Sequence, residues 1–179
     1  LALGVQLDEL PQAVASLAGA SGRMQRIDSA QGGFIVDYAH TPDALMQVLA
    51  SLRAHCVGKL WAVVGCGGDR DAGKRPLMTQ AALDVADAVI LTADNPRSED
   101  PLAILADMQA GLSDAQRARV YVEPDRRAAI AYAVTAAGQD DLVVIAGKGH
   151  EAYQEINGVR HDFDDRVVVA QALAAAGKA

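Results

Sequence analysis

The sequence predicts an α/β fold: a Rossmann-like, mostly parallel sheet with helices on both faces and an antiparallel edge hairpin near the C-terminus. Three observations predict it. Short runs rich in Val and Ile alternate with Ala- and Leu-rich amphipathic stretches, the rhythm of βα units around a parallel sheet. Capping residues and first-turn prolines stand where each amphipathic stretch begins. Near the C-terminus, Asn157-Gly158 separates two short strand-like runs, as a two-residue hairpin turn does.

Taken in chain order, residues 1–18 read as the last helix of a preceding unit. This makes 1–20 the tail of an upstream domain and 21–179 one C-terminal domain. Strands are expected at 33–37, 60–65, 88–92, 119–122 and 142–146, because each is a brief, nearly continuous apolar run bounded by polar or glycine residues. Helices are expected at 42–55, 75–85, 101–111, 125–137 and 165–175. Thr41-Pro42, Asp100-Pro101 and Pro124-Asp125 supply caps or prolines at their starts, and Pro76 falls in a first turn. The hairpin pairs 153–156 with 159–162.

Composition narrows the function. The chain has 179 residues, 51% of them hydrophobic, enough for one buried core. A net charge of −7 with no Lys/Arg stripe argues against a nucleic-acid partner. No apolar run approaches the ~18 residues of a membrane span, so no membrane partner is expected. Cys56 and Cys66 form no CxxC pair and no metal-ligand spacing, which suits a reducing compartment, the cytoplasm, and a site without metal ligands. Against the acidic background, Arg70, Lys74 and Arg75 crowd one glycine-rich stretch and suggest a basic pocket for a small anion.

Ligands of open α/β sheets bind beyond the carboxyl ends of the strands, and the polar clusters fall there. Asp37-Tyr38-Ala39-His40-Thr41 closes the first strand and opens a helix whose N-terminus attracts phosphate. The segment 65–75 closes the second. Its Gly68 to Lys74 portion has the spacing of a phosphate loop, but Arg75 stands where Ser or Thr would hold magnesium; a plain strand-to-helix turn is the other reading. Asp94-Asn95-Pro96-Arg97 closes the third strand. It combines a carboxylate, an amide and a guanidinium suited to a carboxylate, with Pro96 restricting where Arg97 can point. Gly147 to Ala152 fits the GxGxxA dinucleotide fingerprint, but a hairpin follows it where that fingerprint needs a helix.

Together, Gly22-Arg23-Met24, Asp37 to Leu45, Gly65 to Asp71 with Lys74 to Met78, Asp94 to Arg97 and Gly147 to Glu151, in this order and spacing, resemble the C-terminal domain of the MurE ligases. The resemblance implies a three-domain enzyme of peptidoglycan synthesis, with a UDP-binding first domain, a central ATPase domain and a third domain that holds the incoming amino acid. Its activity would be ATP-dependent addition of meso-diaminopimelate to UDP-N-acetylmuramoyl-L-alanyl-D-glutamate. ATP and Mg2+ would be held mainly by the central domain, with no catalytic residue in this chain. Carried over by motif, Arg70, Asp94, Asn95, Pro96, Arg97, Gly147 and Glu151 would bind diaminopimelate. Arg23, Asp37, His40 and Thr41 would be the domain's contribution to the nucleotide site. Three other readings stay open from the residues: a stand-alone amino-acid or nucleotide-binding module, the lysine-adding sister ligase, and an NAD-dependent oxidoreductase read from Gly147 to Ala152.

Overall fold

In a computed structural model, residues 21–179 are described; the expected helix at 1–18 and the domain tail at 1–20 lie outside them. Six strands form the main sheet: β1 (Gln25–Ile27), β2 (Gly33–Asp37), β3 (Leu60–Cys66), β4 (Ala88–Ala93), β5 (Val120–Val122) and β6 (Leu142–Ala146), in the order β1-β2-β6-β3-β4-β5. All neighbours are parallel except β1 with β2. The helices are α1 (Pro42–Arg53), α2 (Lys74–Leu83), α3 (Pro101–Met108), α4 (Asp114–Arg117), α5 (Arg126–Ala136) and α6 (Asp165–Ala175).

The strands are apolar throughout because both faces are covered. Alternate residues face opposite sides. Ala62, Val64, Leu91 and Val144 pack with Leu45, Leu49, Met78, Leu105 and Met108 of α1, α2 and α3. Their neighbours Val63, Ile90, Val143 and Ile145 pack with Ile130, Val134, Val169 and Leu173 of α5 and α6. The expected fold is thus present, with helices on both faces.

The hairpin forms with the expected strands, β7 (Tyr153–Ile156) and β8 (Val159–Asp162). Asn157 and Gly158 have φ of 50° and 75°, both left-handed as a type I′ turn requires. It makes a two-stranded sheet of its own, joined to the rest by a bridge between Ile156 and Arg97; the antiparallel edge of the main sheet is β1. Sequence periodicity missed β1, whose three residues are too few to show an alternation. It also missed α4, although Ser113 and Gln116 spell its capping box. Helices α1, α2 and α3 stop two or three residues before the expected ends. Apolar periodicity runs on through residues that merely close the last turn.

The register decides where the site lies. Asp37 pairs with Ala146 and Cys66 with Ala93, so β2 and β6 end together and β3 and β4 end together slightly farther along, Val63 being level with Ile145. β6 enters between β2 and β3 after the crossover through α5, so the loops that follow the four strands meet at one crevice.

Candidate functional site

The four loops enclose a cleft of about 500 Å³ whose wall includes Tyr38, His40, Thr41, Gly67, Arg70, Lys74, Asp94, Asn95, Arg97, Gly147, Glu151 and Tyr153. Every expected amino-acid-binding residue except Pro96 therefore lines one cavity, together with His40 and Thr41. Pro96, Asp37 and Arg23 are outside its wall. The cavity combines the cations of Arg70, Lys74 and Arg97 with the carboxylates of Asp94 and Glu151.

Arg97 is held by parts of the chain distant in sequence. Its backbone is left-handed, φ 52°, a conformation kept only where surrounding contacts enforce it. Here the hairpin does so: Arg97 N donates to the Glu155 carbonyl at 2.9 Å, and Asn157 N donates to the Arg97 carbonyl at 2.6 Å. From that anchor, Nη1 donates to the Gly68 carbonyl at 2.7 Å. The ring of Pro96 constrains its own φ, but the hairpin aims the arginine.

The glycine loop is fastened to the same turn. Gly68 N donates to the Asn95 carbonyl at 2.9 Å, and Asp69 N to Glu99 Oε1 at 2.6 Å. Asp69 in turn accepts from the Ser98 hydroxyl at 2.6 Å, and the Ser98 hydrogen bonds hold its carboxyl below the usual range. A Cβ on Gly68 would overlap the Pro96 carbonyl oxygen and lie 2.8 Å from its carbon, so only glycine permits this approach. Ser98 and Glu99 were not singled out in the sequence, where they look like solvated loop residues.

Asn95, 3% exposed, is the polar hub. Its Nδ2 donates to Glu151 Oε2 at 3.0 Å, and its Oδ1 accepts from Glu155 N at 2.9 Å and Lys148 Nζ at 3.2 Å. Lys148 has no exposed surface and also reaches Glu151 Oε2 at 3.3 Å. Its ammonium lies 5.5 Å from the Tyr153 ring centroid. Sequence reasoning passed over Lys148. A lysine between two glycines reads as exposed, and nothing local foretells its burial. Asp94 Oδ2 overhangs Gly147, 2.7 Å from where a side chain there would begin.

At the other rim, the Arg23 guanidinium lies 5.6 Å from the Tyr38 ring centroid, and Tyr38 also contacts the rings of His40 and His150. Gly22 and Gly149 meet backbone to backbone, which brings the first and last sequence motifs together. His40 Nδ1 lies 2.9 Å from its neighbouring Tyr38 carbonyl, while its own carbonyl accepts from Lys74 Nζ at 2.8 Å. Thr41 caps α1 by accepting from Ala44 N. Asp37 is buried behind the wall, its two carboxylate oxygens taken by Met24 N and Ala39 N, each at 2.7 Å. It therefore shapes this rim through the backbone.

One expectation for the glycine stretch needs correction. Arg75 does not share a pocket with Arg70 and Lys74; it is 3% exposed and turned toward Glu99 and Asp107, each at 2.8 Å. Cys66 in the same stretch is buried, and burial pushes its pKa up to about 12 against the opposing pull of Lys74. At mildly alkaline pH an alkylating reagent should label the partly exposed Cys56 in the folded protein and spare Cys66, with both reacting after denaturation. Rapid labelling of Cys66 in the native state would contradict this.

The Mur ligase, glutamate ligase domain, matches residues 22–149. The chain belongs to this family. A Pseudomonas putida relative named UDP-N-acetylmuramoyl-L-alanyl-D-glutamate–2,6-diaminopimelate ligase is 50% identical over 98% of this chain and 35% of its own length. A relative of the same name from Xanthomonas campestris pv. campestris is 52% identical over 93% of this chain and 34% of its own. The chain thus spans about a third of these relatives. A solved structure of an enzyme of that name superposes with a TM-score of 0.84 at 58% identity, covering 97% of this chain and 36% of the other. Folylpolyglutamate synthase of Thermotoga maritima shares the fold alone, with a TM-score of 0.60 at 20% identity over 82% of this chain and 32% of its own.

Proposed function

We propose that residues 21–179 form the C-terminal, amino-acid-binding domain of an ATP-dependent ligase adding meso-diaminopimelate to UDP-N-acetylmuramoyl-L-alanyl-D-glutamate in cytoplasmic peptidoglycan precursor synthesis, and that residues 1–20 are the tail of its central ATPase domain. The observation that carries this reading is the pairing of Arg70 and Arg97 with Asp94 and Glu151 around one cleft of about 500 Å³. Both signs of charge in one cleft suit the zwitterionic distal end of diaminopimelate: guanidinium forks for its carboxylate, carboxylates and the Gly147 carbonyl for its ammonium. The relatives named for this reaction support the same substrate.

In this reading ATP phosphorylates the D-glutamate carboxylate in the central domain. The free amine of diaminopimelate attacks the acyl carbon, the carbon–oxygen bond to phosphate breaks, and an amide forms. This domain's work is to hold that amine in place, since fixed geometry lowers the barrier to a two-substrate reaction. Arg23, His40 and Thr41 are proposed to face the nucleotide across the rim, with Asp37 supporting them through Met24 and Ala39. Mg2+ is proposed to bind with ATP in the central domain; among the described residues no three His, Cys, Asp or Glu side chains gather as its ligands.

The test is steady-state ligation by the full-length polypeptide with Glu151→Gln. The amide keeps the size but loses the charge, so the KM for diaminopimelate should rise about tenfold or more, equivalent to ~1.4 kcal/mol, while that for ATP stays near wild type. Equal changes in both constants, or wild-type activity without diaminopimelate, would exclude this reading.

A further inference from the structure

Among the described residues, Arg126 and Asp165 alone form an ion pair in which neither side chain has exposed surface. The pairing is bidentate, Nε to Oδ1 at 2.8 Å and Nη2 to Oδ2 at 2.7 Å. Arg126 begins α5 and Asp165 begins α6, so the pair locks together the starts of the two helices on one face. The guanidinium also donates Nη2 to the Ala146 carbonyl at 3.0 Å, and Nη1 reaches the Ala93 carbonyl at 3.5 Å. Those carbonyls end β6 and β4. The next residues are Gly147 and Asp94.

A buried ion pair is weak evidence of a role in stability. An ion pair stripped of water loses hydration on both sides, and apolar residues of similar volume often serve as well or better. Both helices already bury apolar faces against the sheet. The pair supplies directional bonds at the junction where two strands become site loops. Burial works against the arginine's charge, but Asp165, with Asp94 and Glu151, outweighs it and holds the guanidinium above its ordinary pKa. The cleft's two carboxylates are thus within electrostatic reach.

We propose that Arg126, oriented by Asp165, is a positioning residue that fixes the ends of β4 and β6 and thereby the spacing of Asp94 and Gly147 in the amino-acid cleft. It touches no wall of that cleft. The spacing is tight, since Asp94 Oδ2 overhangs Gly147 closely enough to exclude a side chain there. Small displacements of the strand ends would therefore change what the cleft accepts. This inference rests on reading the cleft as the amino-acid site.

The experiment compares the full-length polypeptide with its Arg126→Met/Asp165→Leu variant, which removes both charges at similar volume. It should melt cooperatively within a few degrees of wild type. Its KM for diaminopimelate should rise about tenfold to a hundredfold, the scale of sub-ångström to ångström misplacement, with the KM for ATP unchanged. Hydrogen–deuterium exchange should accelerate in the segments 93–97 and 146–151 and not in β3. Arg126→Lys with Asp165 retained should recover only part of the loss. A folded double variant with wild-type KM and wild-type exchange would overturn the proposal, and so would one that melts far below wild type, which would assign the pair to stability. If wild type itself shows no diaminopimelate-dependent turnover, the cleft reading fails, and the exchange comparison still decides whether the pair fixes the strand ends.

Discussion

Replacing Arg97 with Ala in the full-length polypeptide should cut kcat/KM for meso-diaminopimelate by roughly two orders of magnitude or more, and that for lysine far less. The estimate comes from the ~2–5 kcal/mol lost when one partner of a buried charge pair is truncated. The two amino acids differ by the distal carboxylate, present in diaminopimelate and replaced by hydrogen in lysine. A guanidinium built to meet that carboxylate gains from the right substrate and is left unpaired by the wrong one. The geometry strengthens the expectation, because Arg97 is anchored at its backbone by Glu155 and Asn157 and at Nη1 by the Gly68 carbonyl. Among the described residues no other nitrogen of the guanidinium has a protein partner.

The substitution is clean in one respect. Arg and Ala both carry a Cβ, so the left-handed φ of 52° burdens wild type and variant alike. Arg97→Lys should restore only part of the activity, since an ammonium cannot make two parallel hydrogen bonds to a carboxylate. Steady-state kinetics with both amino acids decide the matter: equal losses for the two would mean that Arg97 holds the Gly68 loop and does not read the distal carboxylate.

Gly68→Ala should be strongly destabilising. The new Cβ would overlap the Pro96 carbonyl, and a backbone oxygen cannot swing aside as a flexible side chain can. The glycine loop must then withdraw from the Asp94–Arg97 turn, with loss of the Gly68-to-Asn95 and Arg97-to-Gly68 hydrogen bonds. Overpacking costs about 1–3 kcal/mol, and each lost hydrogen bond about 1 kcal/mol more. The melting temperature should fall by about 6–20 °C, at about 2–4 °C per kcal/mol for a domain of this size. Gly73→Ala in the same loop is the control. Gly73 has φ −61° and ψ −23°, which alanine adopts freely, and its Cβ would meet only Asp71 Oδ1 at 3.2 Å. It should stay within about 0.5 kcal/mol of wild type. Thermal melts of both variants provide the check; similar melting temperatures would mean the loop yields at Gly68 without strain.

The sequence by itself determined the elements and their order. Five strands of the main sheet, five helices and the hairpin were legible because each depends on short-range chemistry: an apolar run at a strand's length, a cap beside a proline, an Asn-Gly turn. The loops that carry the cleft were legible as well, because binding residues of an α/β sheet gather after the strands. Tertiary structure alone decided where the charged side chains of those loops point. Arg70 and Arg75 stand five positions apart in one glycine-rich stretch, yet Arg70 lines the cleft while Arg75 is buried against Glu99 and Asp107. Lys148 is enclosed by Asn95, Glu151 and Tyr153, and Arg97 is set by β7, although neither fate is visible in their neighbours. The reason is physical. Periodicity and capping are settled within a few residues, whereas a loop side chain takes its direction from hydrogen bonds to segments far along the chain, 29 residues apart for Arg97 and Gly68 and 60 for Asn95 and Glu155. Those bonds exist only once the sheet has brought its strand ends together.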